Sequence, residues 1–136
     1  MGAQGNEEGA ARGLVLDAGA LIAFERANRR AAAFIENALE IEADVVVPAS
    51  ALAQAWRGGP RSARLARLIA GAESDPLDEP RAKEIGERLG SRGASDIADA
   101  HVVCSALEHQ AAVITSDPAD IEALTAGDEL LTLVSV

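Results

Sequence analysis

Four aspartates stand where the hydrophobic pattern of the chain changes. Asp17 ends the apolar run Leu14-Val15-Leu16. Asp96 and Asp99 open a long apolar stretch, and Asp117 closes the segment Val113-Ile114-Thr115-Ser116. Asp96 and Asp99 are spaced i, i+3, so on a helix both carboxylates face one volume. Taken singly, each has an ordinary role. Asp is a preferred helix cap and suits the first turn of a helix dipole. Asp117 before Pro118 reads as a good cap, Asp96 more as a cap than a ligand, and Asp120 as a solvated helix charge. Their conjunction is more informative. Two carboxylates within ~4 Å repel by about 4 kcal/mol at an effective dielectric of 20. Several converging acids therefore need a cation, and Lys83 is the only lysine of the chain. A donor set of oxygens without Cys or His points to Mg²⁺, or Mn²⁺ in its place, rather than zinc.

The elements that must position these residues follow from periodicity. Residues 1–12, polar and Gly-rich, read as a flexible leader, and 13–136 as one domain. Leu14-Val15-Leu16 and the β-branched run Val45-Val46-Val47 are buried strands, as is Ala112-Val113-Ile114-Thr115. A weak strand or turn is expected at 75–78 and a last strand at 130–136. Helices are expected over 18–26, 28–42, 50–56, 60–70, 79–89, 95–109 and from Pro118 onward, with Ser50 and either Ser95 or Asp96 as caps. Strands alternating with helices predict an α/β fold around a mainly parallel sheet. In such sheets ligands sit beyond the carboxyl ends of the strands, where the strand order reverses. The aspartates that follow strands lie there.

Composition narrows the function. With 136 residues, 49% hydrophobic and 25% charged, the chain reads as one folded domain. No apolar run is long enough to span a membrane, the start lacks a signal-peptide pattern, and the single Cys104 forms no internal disulfide, so cytoplasm is the expected compartment. A net charge of −10 opposes simple nucleic-acid binding unless charge is segregated or a cation intervenes. Three aromatic residues, Phe24, Phe34 and Trp56, are too few for a base-stacking platform. The main local excess of positive charge is Arg57, Arg61, Arg64 and Arg67, which read equally as phosphate contacts or as a solvated helix face. No Ser-His-Asp or Cys-His arrangement is recognisable. His101 and His109 read as packing or surface residues.

Leu14-Val15-Leu16-Asp17-Ala18-Gly19-Ala20-Leu21 resembles the opening motif of PIN-domain ribonucleases. Val47-Pro48-Ala49 through Ala53-Gln54 and on to Gly59 resembles their middle motif. Asp99-Ala100-His101 through Val113-Ile114-Thr115-Ser116-Asp117 resembles their closing motif. Length and element order are similar to the VapC toxins of bacterial type II toxin–antitoxin systems, over roughly 14–134. The resemblance implies a PIN-like domain with sheet order 3-2-1-4-5, so that Asp17 and Asp117 meet at the switch point. It implies Asp99 as third acid, with Asp96 as a plausible fourth. It further implies Mg²⁺-dependent hydrolysis of RNA phosphodiesters, a VapB-like antitoxin partner and a homodimer. Thr115 and Ser116 would orient a carboxylate or water. The family often has Glu where this chain has Gln54, which keeps an acceptor oxygen without charge. That difference keeps a non-cleaving, binding-only PIN-like domain open. A receiver-type phospho-switch is the rival from another class, but it needs a second acid beside Asp17 and a lysine after the last strand. Ala18-Gly19 follows Asp17, and no lysine follows Lys83. A haloacid-type phosphatase fails on the same missing acid.

Overall fold

The computed structural model describes residues 13–127 and 129–136. The expected leader, 1–12, lies outside the described residues. Five strands form one all-parallel sheet: β1 (Gly13–Leu16), β2 (Asp44–Pro48), β3 (Glu73–Asp75), β4 (Ala112–Thr115) and β5 (Leu133–Ser135). Their spatial order is β3-β2-β1-β4-β5. That is the order the resemblance implies, and it differs from the 2-1-3-4-5 order of flavodoxin-like receivers. The order reverses at β1, whose neighbours are β2 and β4.

Among the described residues, seven α-helices connect and cover the strands: α1 (Ala18–Glu25), α2 (Arg29–Glu40), α3 (Ala49–Ala55), α4 (Ala63–Ala70), α5 (Glu79–Arg92), α6 (Ile97–His109) and α7 (Pro118–Glu122). A 3₁₀ turn (Gly59–Ser62) precedes α4. The central strands are apolar because both sheet faces are covered: Val15, Leu16, Val46, Val113 and Ile114 are buried. α6 is apolar nearly all round for the same reason. Its Ala100, Val102, Val103 and Ala106 are fully buried, and it packs against β1, β2, β4, α3 and α5. α2 instead buries one stripe, Ala31, Ile35 and Ala38.

Some boundaries differ from the sequence expectation for local reasons. β3 ends at Asp75 rather than beginning there. α2 stops at Glu40, two residues before Glu42 adopts a left-handed φ of 59°. Helix α3 starts directly after β2, with Pro48 in the cap position, so Ser50 is inside the first turn and is not the cap. Pro60 falls in the 3₁₀ turn, and the α-helix begins at Ala63. That turn is entered through Gly58 and Gly59, with φ of 79° and 67°, a conformation that favours glycine. Ser62 Oγ accepts the Gly58 N–H at 3.0 Å and holds the bend closed.

Candidate active site

β1, β4 and the start of α6 bring the acids to the carboxyl edge of the sheet. The parallel register pairs Leu16 with Ile114, and the Asp17 N–H continues the ladder to the Ile114 carbonyl at 3.2 Å. Asp17 therefore stands level with Thr115. Its side chain is buried, 4% exposed, and one oxygen caps α1 by accepting the Ala20 N–H at 2.7 Å. Capping and site membership were alternatives in the sequence; here one carboxylate does the capping from within the acidic cluster. Burial pushes the Asp17 carboxyl up, against hydrogen bonds from the Thr115 hydroxyl and the Ala20 and Ser116 amides, and Asp117 adds repulsion.

Thr115 is fully buried and joins the two strand-end acids. Its Oγ1 accepts the Asp117 N–H at 2.8 Å, and its hydroxyl stands beside Asp17, whose carboxylate it favours. The Asp117 carboxylate makes no capping bond to α7, contrary to its reading as a good cap. It interacts instead with Asp120, whose carboxyl is raised first by its hydrogen bond to Asp117 and then by that group's charge. Asp120 is exposed in the first turn of α7, in keeping with its expected role as a solvated helix charge, and its spacing from Asp117 repeats the i, i+3 arrangement of Asp96 and Asp99. Ser116 is exposed beside Gly19, where a Cβ would collide with Ser116 Oγ. A side chain at position 19 would force Ser116 aside, so glycine lets α1 approach the β4 end this closely.

Asp96 is the cap of α6, accepting the Asp99 N–H at 2.9 Å. Asp99 itself is half-buried and is pushed up to about 6, first by burial and then by repulsion from Asp96, Asp17, Asp120 and Asp117. Five carboxylates thus act on one another. Among the described ion pairs, none brings Lys, Arg or His to any of them. Among the described residues no three His, Cys, Asp or Glu side chains are gathered tightly enough to hold an ion as they stand.

This repulsion has a measurable consequence. Protonation of Asp99 favours the folded state, since its folded pKa of about 6 lies above the ordinary 3.8. The wild type therefore gains stability as pH falls through about 6 and has the full gain below about 4. A shift near two units corresponds to ~3 kcal/mol before solvent screening, and partial exposure reduces it to about 1–2 kcal/mol. Asp99→Asn is expected to be more stable than wild type by that amount in EDTA above pH about 7. The advantage is expected to vanish below pH about 4. Thermal unfolding of both proteins across this range checks it.

The remaining candidates separate. Gln54 is exposed and lines a cleft of about 410 Å³ together with Ser50, Ser95, Asp96 and Ile97. It therefore borders the Asp96 side of the cluster. Arg57 and Arg61 are exposed; the Arg57 guanidinium donates to the Trp56 carbonyl at 2.8 Å and its backbone N–H to Ser62 Oγ at 3.3 Å. Arg64 is tied to the scaffold: its Nε donates to the Phe24 carbonyl at 2.9 Å and its guanidinium lies 4.8 Å from the Phe24 ring centre. His101 is fully buried, and its ring bonds Ser50 and Asp75. A Ser-His-Asp line that the sequence did not reveal is therefore present, assembled from residues 26 and 51 positions apart.

The family model of the PIN domain matches residues 14–125. The chain belongs to the PIN-domain family. Two solved structures share this PIN fold. FitAB bound to an IR36 DNA fragment aligns with a TM-score of 0.63 at 20% identity, covering 90% of this chain and 94% of that one. FitAcB from Neisseria gonorrhoeae aligns with a TM-score of 0.61 at 21% identity, covering 90% and 96%. At these identities the likeness is one of fold. Comparison with curated proteins gives no match. Within the PIN domain, the ordered acids Asp17, Asp99 and Asp117 are the strand-end and helix-start positions on which the motif resemblance rested.

Proposed function

We propose that this PIN domain is a divalent-metal-dependent endoribonuclease and the toxin half of a VapBC-type pair. What supports the reading is the placement of Asp17 after β1, Asp117 after β4 and Asp99 in the first turn of α6, all at the carboxyl edge where the strand order reverses, with no described basic partner. The donor set fits Mg²⁺ or Mn²⁺: all ligating atoms are carboxylate oxygens, and their mutual repulsion supplies the reason to take up a cation. Asp17, Asp99 and Asp117 would hold the ion, with Asp96 assisting. When bound, such an ion neutralises phosphate charge and favours deprotonation of an attacking water.

The chain's own residues do the rest. Thr115 favours the Asp17 carboxylate through its hydroxyl and fixes the Asp117 backbone through its Oγ1, so the two acids keep their spacing. Asp96 ties down the first turn of α6 and with it the backbone of Asp99. The exposed guanidinium groups of Arg57 and Arg61 are suited to RNA phosphates, while Arg64 offers only its outer edge. Ser116, exposed beside Asp17, is placed to orient water or phosphate.

An antitoxin partner agrees with the acidic cleft, which a basic side chain of a small protein would neutralise, and with the VapC-like motif order. A homodimer and a cytoplasmic setting belong to the same reading. Among the described residues no helix is long and apolar enough to cross a membrane. The direct test is cleavage of structured and unstructured RNAs. Cutting is expected with Mg²⁺ or Mn²⁺ and is expected to stop on addition of EDTA. Cleavage that continues in EDTA would sink the metal-dependent mechanism.

A further inference from the structure

Ser50 on α3, His101 on α6 and Asp75 at the end of β3 form one hydrogen-bonded line. Ser50 Oγ lies 2.6 Å from His101 Nδ1, and His101 Nε2 lies 3.2 Å from Asp75 Oδ1. The imidazole is fully buried, and Asp75 is 4% exposed. The Ser50 end lines the cleft it shares with Gln54 and Asp96, while the Asp75 end, covered by Arg81, borders a separate cleft of about 340 Å³.

The polarity of this line follows from donor counting. The Asp75 carboxylate only accepts, and it already has its cation, Arg81, at 3.2 Å and 3.0 Å through two nitrogens. His101 Nε2 must therefore donate to Asp75. In the neutral ring that leaves Nδ1 without a proton. Ser50 then gives its single O–H to Nδ1. A helical serine usually spends that proton on solvent or on the carbonyl one turn back. Here it is committed inward, so for any group bound in the cleft that Ser50 lines, its Oγ has lone pairs only to offer.

The arrangement does not make Ser50 a nucleophile. In the serine-hydrolase arrangement the serine bonds Nε2 and the aspartate bonds Nδ1; here the two nitrogens are exchanged. Arg81 already neutralises Asp75, which removes the charge that would stabilise an imidazolium. What remains is a fixed acceptor, in a cleft where the Asp96 carboxylate also accepts. Phosphate oxygens have no proton to give and would be repelled by Asp96. A group that binds here must donate. On an RNA strand the donor beside every phosphate is the ribose 2′-hydroxyl, and it is the group that separates RNA from DNA. Asp96 is one helical turn from Asp99 on α6, so a sugar whose phosphate meets the acids is next to this cleft.

We propose that Ser50 is a specificity-determining residue that accepts a hydrogen bond from a ribose 2′-hydroxyl, held in that role by His101, Asp75 and Arg81. The proposal rests on the ribonuclease reading above, and two readouts keep the two apart. The first is the affinity, with Ca²⁺ in place of Mg²⁺ to screen the acids, of a short mixed-sequence RNA and of its 2′-deoxy counterpart, by fluorescence anisotropy. The second is the ratio of kcat/KM for the same pair with Mg²⁺. Wild type is expected to prefer the ribo strand by about tenfold, the worth of one hydrogen bond in a desolvated cleft. Ser50→Ala is expected to bring the ratio to about one, chiefly by losing affinity for RNA. Ser50→Thr, which keeps the hydroxyl, is expected to retain the preference. Thermal unfolding of each variant shows whether it is folded. Ribo-selective binding that depends on Ser50, without cleavage, supports the Ser50 role while removing the nuclease reading. Metal-dependent cleavage with a ribo/deoxy ratio unchanged in Ser50→Ala overturns the Ser50 role alone. Absence of any ribo preference in wild type overturns it too, as does covalent labelling of Ser50 by a fluorophosphonate, which would mark a nucleophile.

Discussion

Asp17→Asn and Asp117→Asn are each expected to lower RNA cleavage by roughly 10²–10³-fold, the scale of removing one electrostatic stabiliser from a preorganised site. Asn preserves the shape of the side chain, and at Asp17 it keeps an oxygen for the Ala20 amide, so α1 stays capped. It removes one of five mutually repelling charges, so stability in EDTA is expected to hold or rise. Activity and stability should therefore move in opposite directions, which separates a chemical loss from misfolding. Gln54→Ala is expected to stay within about tenfold of wild type, because an exposed amide contributes no charge to the site. Parallel kinetics and thermal melts of the three variants check this. A folded Gln54→Ala as inactive as Asp17→Asn would make Gln54 a primary residue and reverse the ranking.

The largest stability effect is expected at the other end of the sheet edge. Arg81 is 8% exposed and engages Asp75 through two nitrogens, with Glu108 accepting at 2.6 Å and Glu84 completing the set. Arg81→Met leaves Asp75 buried without its cation and is expected to cost about 3–5 kcal/mol in urea unfolding at neutral pH. Burial alone would raise the Asp75 carboxyl, but Ser105, His101 and Arg81 around it outweigh that and hold it below its ordinary range. Its contribution is therefore present above pH about 4 and is lost as pH falls through the lowered folded-state pKa. The deficit of Arg81→Met should shrink in the same acid range. A loss under about 1 kcal/mol would show that Asp75 finds water or another partner when Arg81 is removed.

The two effects mark what the sequence could and could not convey. The places of Asp17, Asp96, Asp99 and Asp117 at element ends were legible because each sits where an apolar stretch starts or stops, and in a parallel sheet such boundaries after strands lie at the ligand edge. The strands β1, β2 and β4 were legible because burial on both faces makes them continuously apolar. β3 is an edge strand, Glu73-Ser74-Asp75, with two exposed polar residues and no apolar pattern to announce it. Asp75 consequently looked like part of a turn. Ser50 looked like a cap because Ser before an apolar run usually is one, but the helix had already begun at Ala49. The line joining Ser50, His101, Asp75 and Arg81 depends on three elements meeting in space, and no local spacing encodes it.

Calorimetric titration of Mn²⁺ into wild type and Asp99→Asn under identical conditions shows whether the strand-end acids are a cation site. Saturable binding to wild type is expected, with an affinity at least about tenfold lower for Asp99→Asn, since the variant loses the charge that faces all the other acids. Equal affinity in the two proteins, or no saturable binding to wild type, would contradict this assignment.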